Sequence, residues 1–291
     1  MKTLLTALVM ALAAATARAE PPTPLLWKVS DGDNAVYLLG SFHMLTAQDY
    51  PLAARTYAAL EDAERVLLEI APEELNSPAL AQQMAQAARR SDGLSLQQAL
   101  PADTWAQLAE QAAKHNLPLE SLQGFEPWFV SLLLGVSELQ AVGLKAEYGL
   151  DRHIAERAAQ AGKPVTGLET GAQQIALFDA MSPELQLQAL QDTLEDASDL
   201  RSEIQTMHAL WRAGNGEALF AKTGAELKAE YPELYNRINR DRNRSWIEPI
   251  SGLLDDSGSD DALVVVGAMH LLGEDSVVRM LKDEGYTVEQ L

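Results

Sequence analysis

The sequence predicts an α/β fold of the α+β kind, with a central mixed β-sheet assembled from two β-α halves. Three observations lead there. Residues 37–45, YLLGSFHML, read as an apolar strand that stops at Gly40 and then presents His43. Residues 264–272, VVVGAMHLL, repeat that device with Gly267 and His270. The chain between them is dominated by Ala, Gln and Leu at helical spacing, with no solenoid period and no Pro- or Ser-rich linker. That pattern favours one domain over residues 20–291, built from two halves with helices between.

The first element lies outside that domain. Residues 1–19 carry Lys2, an apolar run from Leu4 to about Ala15, and Ala17-Arg18-Ala19 as a small-x-small cleavage site, which reads as a secretory signal peptide cut after Ala19. The run is too short to span a bilayer comfortably. Residues 25–30 and 35–39 then flank Asp31-Gly-Asp-Asn34, a turn sequence, so a β-hairpin opens the domain and its second strand runs into the first Gly-x-x-His. Residues 52–63 read as a helix and residues 65–70 as a strand with Glu69 near its end, completing a β-turn-α-β unit.

From about 72 to 149 the composition turns helical and is expected to form an insertion covering one side of the sheet. In residues 101–115, for instance, Trp105, Leu108 and Ala112 share a face. Residues 128–142 are the most apolar stretch after the leader, but Ser131, Gly135, Ser137, Glu138 and Gln140 interrupt them, so a buried helix is expected there. A helix over 151–161, a Gly162-Lys-Pro stop and a strand over 165–168 ending at Glu169 follow. A second helical block runs from about 172 to 254, with breaks near Ser182-Pro183, Gly214-Asn-Gly216 and Pro232. The last residues return to strand (262–266), helix (275–283) and strand (286–290).

Composition narrows the chemistry. There are no cysteines, which excludes disulfides, thiolate ligands, a Cys nucleophile and a lipid anchor on Cys. Any metal must therefore be held by His and carboxylates. The formal net charge is −20, and loss of Lys2 and Arg18 with the leader makes it two units more negative. Such a surface repels nucleic acid and anionic membranes. Leader and acidity together point to an exported, soluble protein, periplasmic if the source is a Gram-negative bacterium and otherwise secreted, with no stable membrane insertion after cleavage. Walker A, G-x-G-x-x-G, H-E-x-x-H and G-x-S-x-G patterns are all missing from the sequence.

In an open α/β sheet, sites form at the carboxyl ends of strands, and both Gly-x-x-His motifs lie at such ends. Neighbouring strands would make His43 and His270 converge; the plainer alternative is that each imidazole bonds a backbone carbonyl at a loop start. Two imidazoles alone hold a divalent ion weakly, which directs attention to Glu69 and Glu169, charges placed where apolar runs end. Two histidines and one glutamate with an open position would suit manganese, cobalt, zinc or iron and a hydrolytic water. In residues 239–246, NRDRNRSW, helical spacing puts Asn239, Arg242, Asn243 and Trp246 on one stripe and Arg240 and Arg244 on another. Arg242 is either an inward clamp for an oxyanion or carboxylate, or part of a solvated face. His115 reads as a helix-end residue, His208 as part of a packed face, and His153, next to Asp151, as a weaker supporting candidate. Asp255-Asp256 and residues 258–261 read as an acidic loop without EF-hand spacing.

With those residues in hand, the chain resembles the TraB/GumN family, which includes the pheromone-shutdown and Tiki proteins. The resemblance rests on residues 38–44, Leu67-Leu-Glu69, Gly149-Leu-Asp151, residues 162–170, Arg242-Asn243 with Trp246, Val265-Val-Gly-Ala-Met-His270 and Gly285-Tyr-Thr-Val288. It implies a fold similar to erythromycin-esterase-like and ChaN-like proteins. It implies His43, His270 and Glu69 as metal-site residues, with Arg242 as a charged helper, Glu169 as a further catalytic candidate, and Gly40, Gly267, Asn243 and Asp151 as supporting motif positions. Tiki-like members are described as metal-dependent proteases, so the expectation is a metallohydrolase acting on a peptide or protein substrate. A non-catalytic peptide-binding protein, or an accessory of polysaccharide production of the GumN kind, is the alternative.

Overall fold

The structure, a computed structural model, describes residues 20–195, 197–255 and 258–291; the predicted leader and Asp256 fall outside them. Its centre is a mixed six-stranded sheet of order β4-β3-β5-β2-β1-β6, where β1 is Leu26–Ser30, β2 Ala35–Ser41, β3 Arg65–Leu68, β4 Val165–Gly167, β5 Ala262–Gly267 and β6 Thr287–Gln290. β1 pairs antiparallel with β2 through the Asp31–Asn34 turn, as the turn chemistry predicts, and with β6 on its other side. β2, β5, β3 and β4 are mutually parallel. Each needs a crossover, and the helical blocks supply it.

Burial explains why the two apolar runs sit side by side at the centre. Every residue of β2 is buried, as are Ala262 to Val266 of β5, so both faces of the sheet are covered there. Helix Leu150–Gln160 packs on β3 and β4, helix Ala54–Asp62 on β5, and helix Asp241–Asp255 on β2. Their apolar residues, including Ile154, Ala158, Trp246 and Ile250, join the strands in one core. Register then matters for function: Gly40 faces Val266 and Ser41 faces Gly267, so the two Gly-x-x-His turns leave the sheet at the same level.

The insertion differs from the simplest expectation. Its helices Ala102–Lys114 and Pro127–Ala141 turn their apolar stripes toward helix Pro183–Glu195 of the second helical block, and Pro78–Ala87 packs on helix Gly171–Asp179, instead of lying on the strands. Leu108, Ala112, Val130 and Leu134 meet Leu190 and Leu194 in a core of their own. The physical reason is supply: the sheet faces are already covered by helices from both halves. A buried Glu138 ties this layer together, accepting from His115 at 2.7 Å and from Arg201 at 2.8 Å, so His115 serves as a hydrogen-bond donor between helices as well as a helix terminus. Among the described residues, no helix is long and apolar enough to cross a membrane.

Candidate active site

The four parallel strands end along one rim and hand over four side chains in spatial order: Glu169 after β4, Glu69 after β3, His270 after β5 and His43 after β2. Local backbone chemistry makes their approach possible. A Cβ on Gly267 would stand 3.3 Å from Glu69 Oε1, 3.4 Å from His43 Nε2 and 3.5 Å from His270 Cδ2, so this glycine lies at the point where the three converge. Gly40 has the analogous task one strand over, where a Cβ would press on Ala268 and Leu25 at 3.2–3.3 Å. Both glycines ease a close approach, without any positive φ.

His43 Nε2 lies 3.8 Å and His270 Nε2 3.9 Å from the same atom, Glu69 Oε1. Each ring is anchored through its other nitrogen. His43 Nδ1 is 3.3 Å from Asp151 Oδ1, whose carboxylate is itself held by the Ser41 hydroxyl at 3.0 Å. His270 Nδ1 donates to Asn243 Oδ1 at 2.6 Å, and the Asn243 amide is fixed by donating to Asn239 and to the Asp275 carbonyl. Trp246 packs on the His270 ring at 4.6 Å. The stripe that helical spacing groups together faces inward, set up by a π-helical turn, Asn236–Arg240, that leads into helix Asp241–Asp255.

Arg242 is the hub. Its Nη2 donates to Glu69 Oε2 at 2.5 Å and to Glu169 Oε1 at 2.5 Å; Nε donates to Glu169, and Nη1 to the Ile238 carbonyl at 3.1 Å and to His270 Nε2 at 3.0 Å. A guanidinium has five N–H donors, and all are engaged here. Gln174, in the first turn of helix Gly171–Asp179, bridges the two carboxylates by donating to Glu69 at 3.1 Å and to Glu169 at 2.7 Å. Sequence reasoning missed Gln174. Its only signal was position, at the start of the helix that follows a strand ending in a candidate carboxylate.

The charges follow from these contacts. Burial alone would raise Glu69, but the flanking imidazoles, Arg242 and the Gly267 amide at 2.7 Å hold it well below the ordinary carboxylate range. Burial likewise pulls His270 down, and Arg242 with His43 keeps it low against the pull of Glu69, to about 3, so its ring is neutral with a lone pair on Nε2. For His43, whose ring keeps one face in solvent, the crowding of protein atoms around it opposes charge but is overcome by the hydrogen bond to Asp151 and by the negative charges of Glu69 and Asp151, which raise it to about 9. Burial disfavours charge on Arg242 as well, and the two glutamates more than restore it.

The donors fit a divalent ion in type and orientation. Two imidazoles direct Nε2 at one carboxylate oxygen, and each has its Nδ1 tied to an acceptor, the pattern that orients histidine ligands. One contact stands against immediate occupancy: Arg242 already uses the His270 lone pair. Among the described residues, no group of three His, Asp or Glu side chains is drawn together tightly enough to hold an ion as the side chains lie. The remaining histidines do not join the site. His208 donates to the buried Asp49, which also pairs with Arg212, and His153 packs on Tyr50 and Tyr57.

A model of the TraB/PrgY/gumN family matches residues 25–290, which takes in all six strands and His43, Glu69, Glu169, Gln174, Arg242 and His270. The chain belongs to the TraB/PrgY/gumN family. Relatives of this TraB/PrgY/gumN chain include a protein named "Uncharacterized protein YbaP" from Escherichia coli (strain K12), 26% identical over 255 residues, covering 86% of this chain and 89% of that one. The protein of the same name from Shigella flexneri matches over the same extent at the same identity. No solved structure matches.

Alongside His43 and Glu69 a cleft of about 510 Å³ opens between helix Leu150–Gln160, the β3–β5 strand ends and the helix Pro72–Leu75. His43, which lines it, has a side chain 58% exposed, whereas those of Glu69, Glu169, Arg242 and His270 are nearly buried.

Proposed function

We propose that this chain is an exported, metal-dependent hydrolase of the cell envelope acting on peptide bonds, with His43, His270 and Glu69 holding a divalent ion. The observation that carries the reading is the convergence of both Nε2 atoms on Glu69 Oε1, each ring oriented through Nδ1 by Asp151 or Asn243. Bound there, a divalent ion supplies Lewis acidity toward a carbonyl and activation of water.

The chain's own residues do the rest. Ligands must be deprotonated, so His43 sheds a proton on loading, and Asp151 keeps its Nδ1–H in place. Arg242 contributes a donor to the oxygen of the scissile carbonyl. All five of its N–H groups are taken as the side chains lie, and the one on His270 Nε2 would be the donor to exchange if His270 held an ion. Glu169 remains the carboxylate available to accept a proton, with Gln174 fixing its distance from Glu69. The nearly closed pocket around Arg242 strengthens these contacts by excluding water.

The decisive experiment measures metal content by elemental analysis of the leaderless protein, purified without chelator or nickel resin, beside His43→Ala/His270→Ala. Near-stoichiometric metal that disappears in the folded double variant supports the reading; equal metal in both ends it. A second reading, a non-catalytic peptide-binding protein, is favoured by the saturation of Arg242, which leaves a polar network complete without an ion. It predicts no metal after soaking with manganese, cobalt or zinc, and peptide binding indifferent to chelator.

A further inference from the structure

The cleft beside His43 and Glu69 has a composition that selects its occupant. Its floor and walls are apolar: Leu68 and Ile70 from the β3 end, Val165 from β4, Ala155 and Ala159 from helix Leu150–Gln160, and Leu75 at the lip. Leu75 is 54% exposed, one of the few large apolar side chains the molecule leaves in water. A volume of about 510 Å³ falls within the range of roughly 300–1,000 Å³ typical of small-ligand sites. It is larger than one methyl group needs and reaches His43 and Glu69.

The rim carries the opposite information. Glu73, Asp151 and Glu156 line it, and among the described residues around the cleft Arg152 is the one guanidinium or ammonium, its Nε engaged by Glu156 at 3.0 Å. The molecule as a whole carries a formal charge of −20. An acidic ligand group would meet repulsion at the rim and find the basic side chains of the cleft, His43 and Arg152, already engaged by Asp151 and Glu156, whereas an apolar side chain gains by covering the floor and a neighbouring Lys or Arg is attracted to the rim.

We infer that this cleft is the specificity subsite for an extended peptide, taking an apolar side chain next to the bond presented to His43 and Glu69, and favouring basic over acidic neighbours. The inference rests on the hydrolase reading for the word substrate, and the binding it describes stands independently of turnover. Small side chains on the helix make the space: Ala155 and Ala159 occupy successive turns of one helix face, where larger residues would fill it.

The test uses the leaderless protein and blocked peptides Ac-Gly-Lys-X-Gly-Gly-amide with X = Leu, Phe, Gly or Asp, plus Ac-Gly-Asp-Leu-Gly-Gly-amide. Binding is followed by saturation-transfer NMR and cleavage by mass spectrometry, with manganese, cobalt or zinc added. Leu and Phe peptides should bind about tenfold or more tightly than Gly and Asp peptides, the discrimination that buried apolar side chains provide. Ala159→Trp, at an exposed position facing the cleft, should abolish that preference while metal content stays unchanged. Leu75→Asp should weaken the Leu peptide without affecting the Gly peptide, which guards against a simple folding defect in the first variant.

Equal binding of Leu, Gly and Asp peptides, no binding of any, or an Ala159→Trp protein with the full preference, would overturn the subsite. If Leu and Phe peptides bind, lose binding in Ala159→Trp, and are never cut, the subsite stands and the hydrolase reading falls. If peptides are cut with no dependence on X in either protein, the hydrolase stands and the subsite falls.

Discussion

Replacing Arg242 by methionine should destabilise the protein by about 3–5 kcal/mol, the cost of leaving buried charges unpaired. Arg242 is 11% exposed in its side chain, and its two carboxylate partners, Glu69 and Glu169, are 12% and 7% exposed. Methionine replaces much of the aliphatic volume and keeps some contact with Trp246, on which the guanidinium sits at 4.8 Å, so lost packing is a minor part. The larger part is two carboxylates, bridged by one Gln174 amide, facing each other without the guanidinium between them.

An internal control shows why burial decides the magnitude. Arg152 and Glu156 form an ion pair at 3.0 Å on the surface of one helix, with both side chains more than half exposed. Arg152→Met should cost less than about 0.5 kcal/mol. Urea unfolding at pH 7 followed by circular dichroism measures both, and a scan should show Arg242→Met melting on the order of 10 °C below the parent, at about 2–4 °C per kcal/mol for a chain of this size. Removing the stranded charges should recover most of the loss, so Arg242→Met/Glu69→Gln/Glu169→Gln is expected to be more stable than Arg242→Met alone. An Arg242→Met protein within 1 kcal/mol of the parent, or a triple variant weaker than the single one, would refute the claim that these carboxylates are buried and charged.

Other perturbations test other parts of the scaffold. Asp49 is fully buried; burial would raise its carboxyl, but His208 and the Thr46 amide and hydroxyl hold it well below the ordinary range. A depressed folded pKa gives stability present above the unfolded value of about 4 and lost as pH falls through the folded one. Asp49→Asn should therefore cost about 1–3 kcal/mol at pH 6, with the gap to the parent narrowing in urea melts at pH 3 and below. Gly149→Ala would put a Cβ 2.3 Å from the His43 carbonyl, so the backbone must move; melts should show a loss of about 1–3 kcal/mol. Gly267→Ala meets only contacts of 3.3–3.5 Å and should retain the fold at a cost of about 1 kcal/mol, but elemental analysis should find its metal content reduced, because the methyl projects into the space between Glu69 and the two histidines. Trp211→Phe deletes a buried indole N–H bond of 2.9 Å to the Gly40 carbonyl and should lower stability by about 1–3 kcal/mol in the same melts.

How much of this was legible without coordinates varies with the distance over which each interaction acts. The hairpin, the strands before each Gly-x-x-His and the inward stripe of Asn239, Arg242, Asn243 and Trp246 depend on periods of 2 and 3.6 residues and on turn chemistry, which are properties of neighbours in the chain. Glu69 and Glu169 stood out because a charge closing an apolar strand is conspicuous in one dimension. The insertion was legible as helical, but its partner was not, since an apolar stripe states that something must cover it and does not say what.

Sequence alone determined the two repeated turns, the absence of cysteine and the short roster of histidines, carboxylates and one arginine from which a site had to be built. The tertiary structure decided that β2, β5, β3 and β4 lie side by side, so that residues separated by more than half the chain stand within 4 Å of Glu69. It also decided that Arg242 spends every donor inside the site, that Gln174 links its carboxylates, and that the cleft beside it is apolar within and acidic at its mouth. The reason is physical: strand order, register and the partners of a long side chain are set by contacts between segments far apart in sequence, and no local periodicity encodes them.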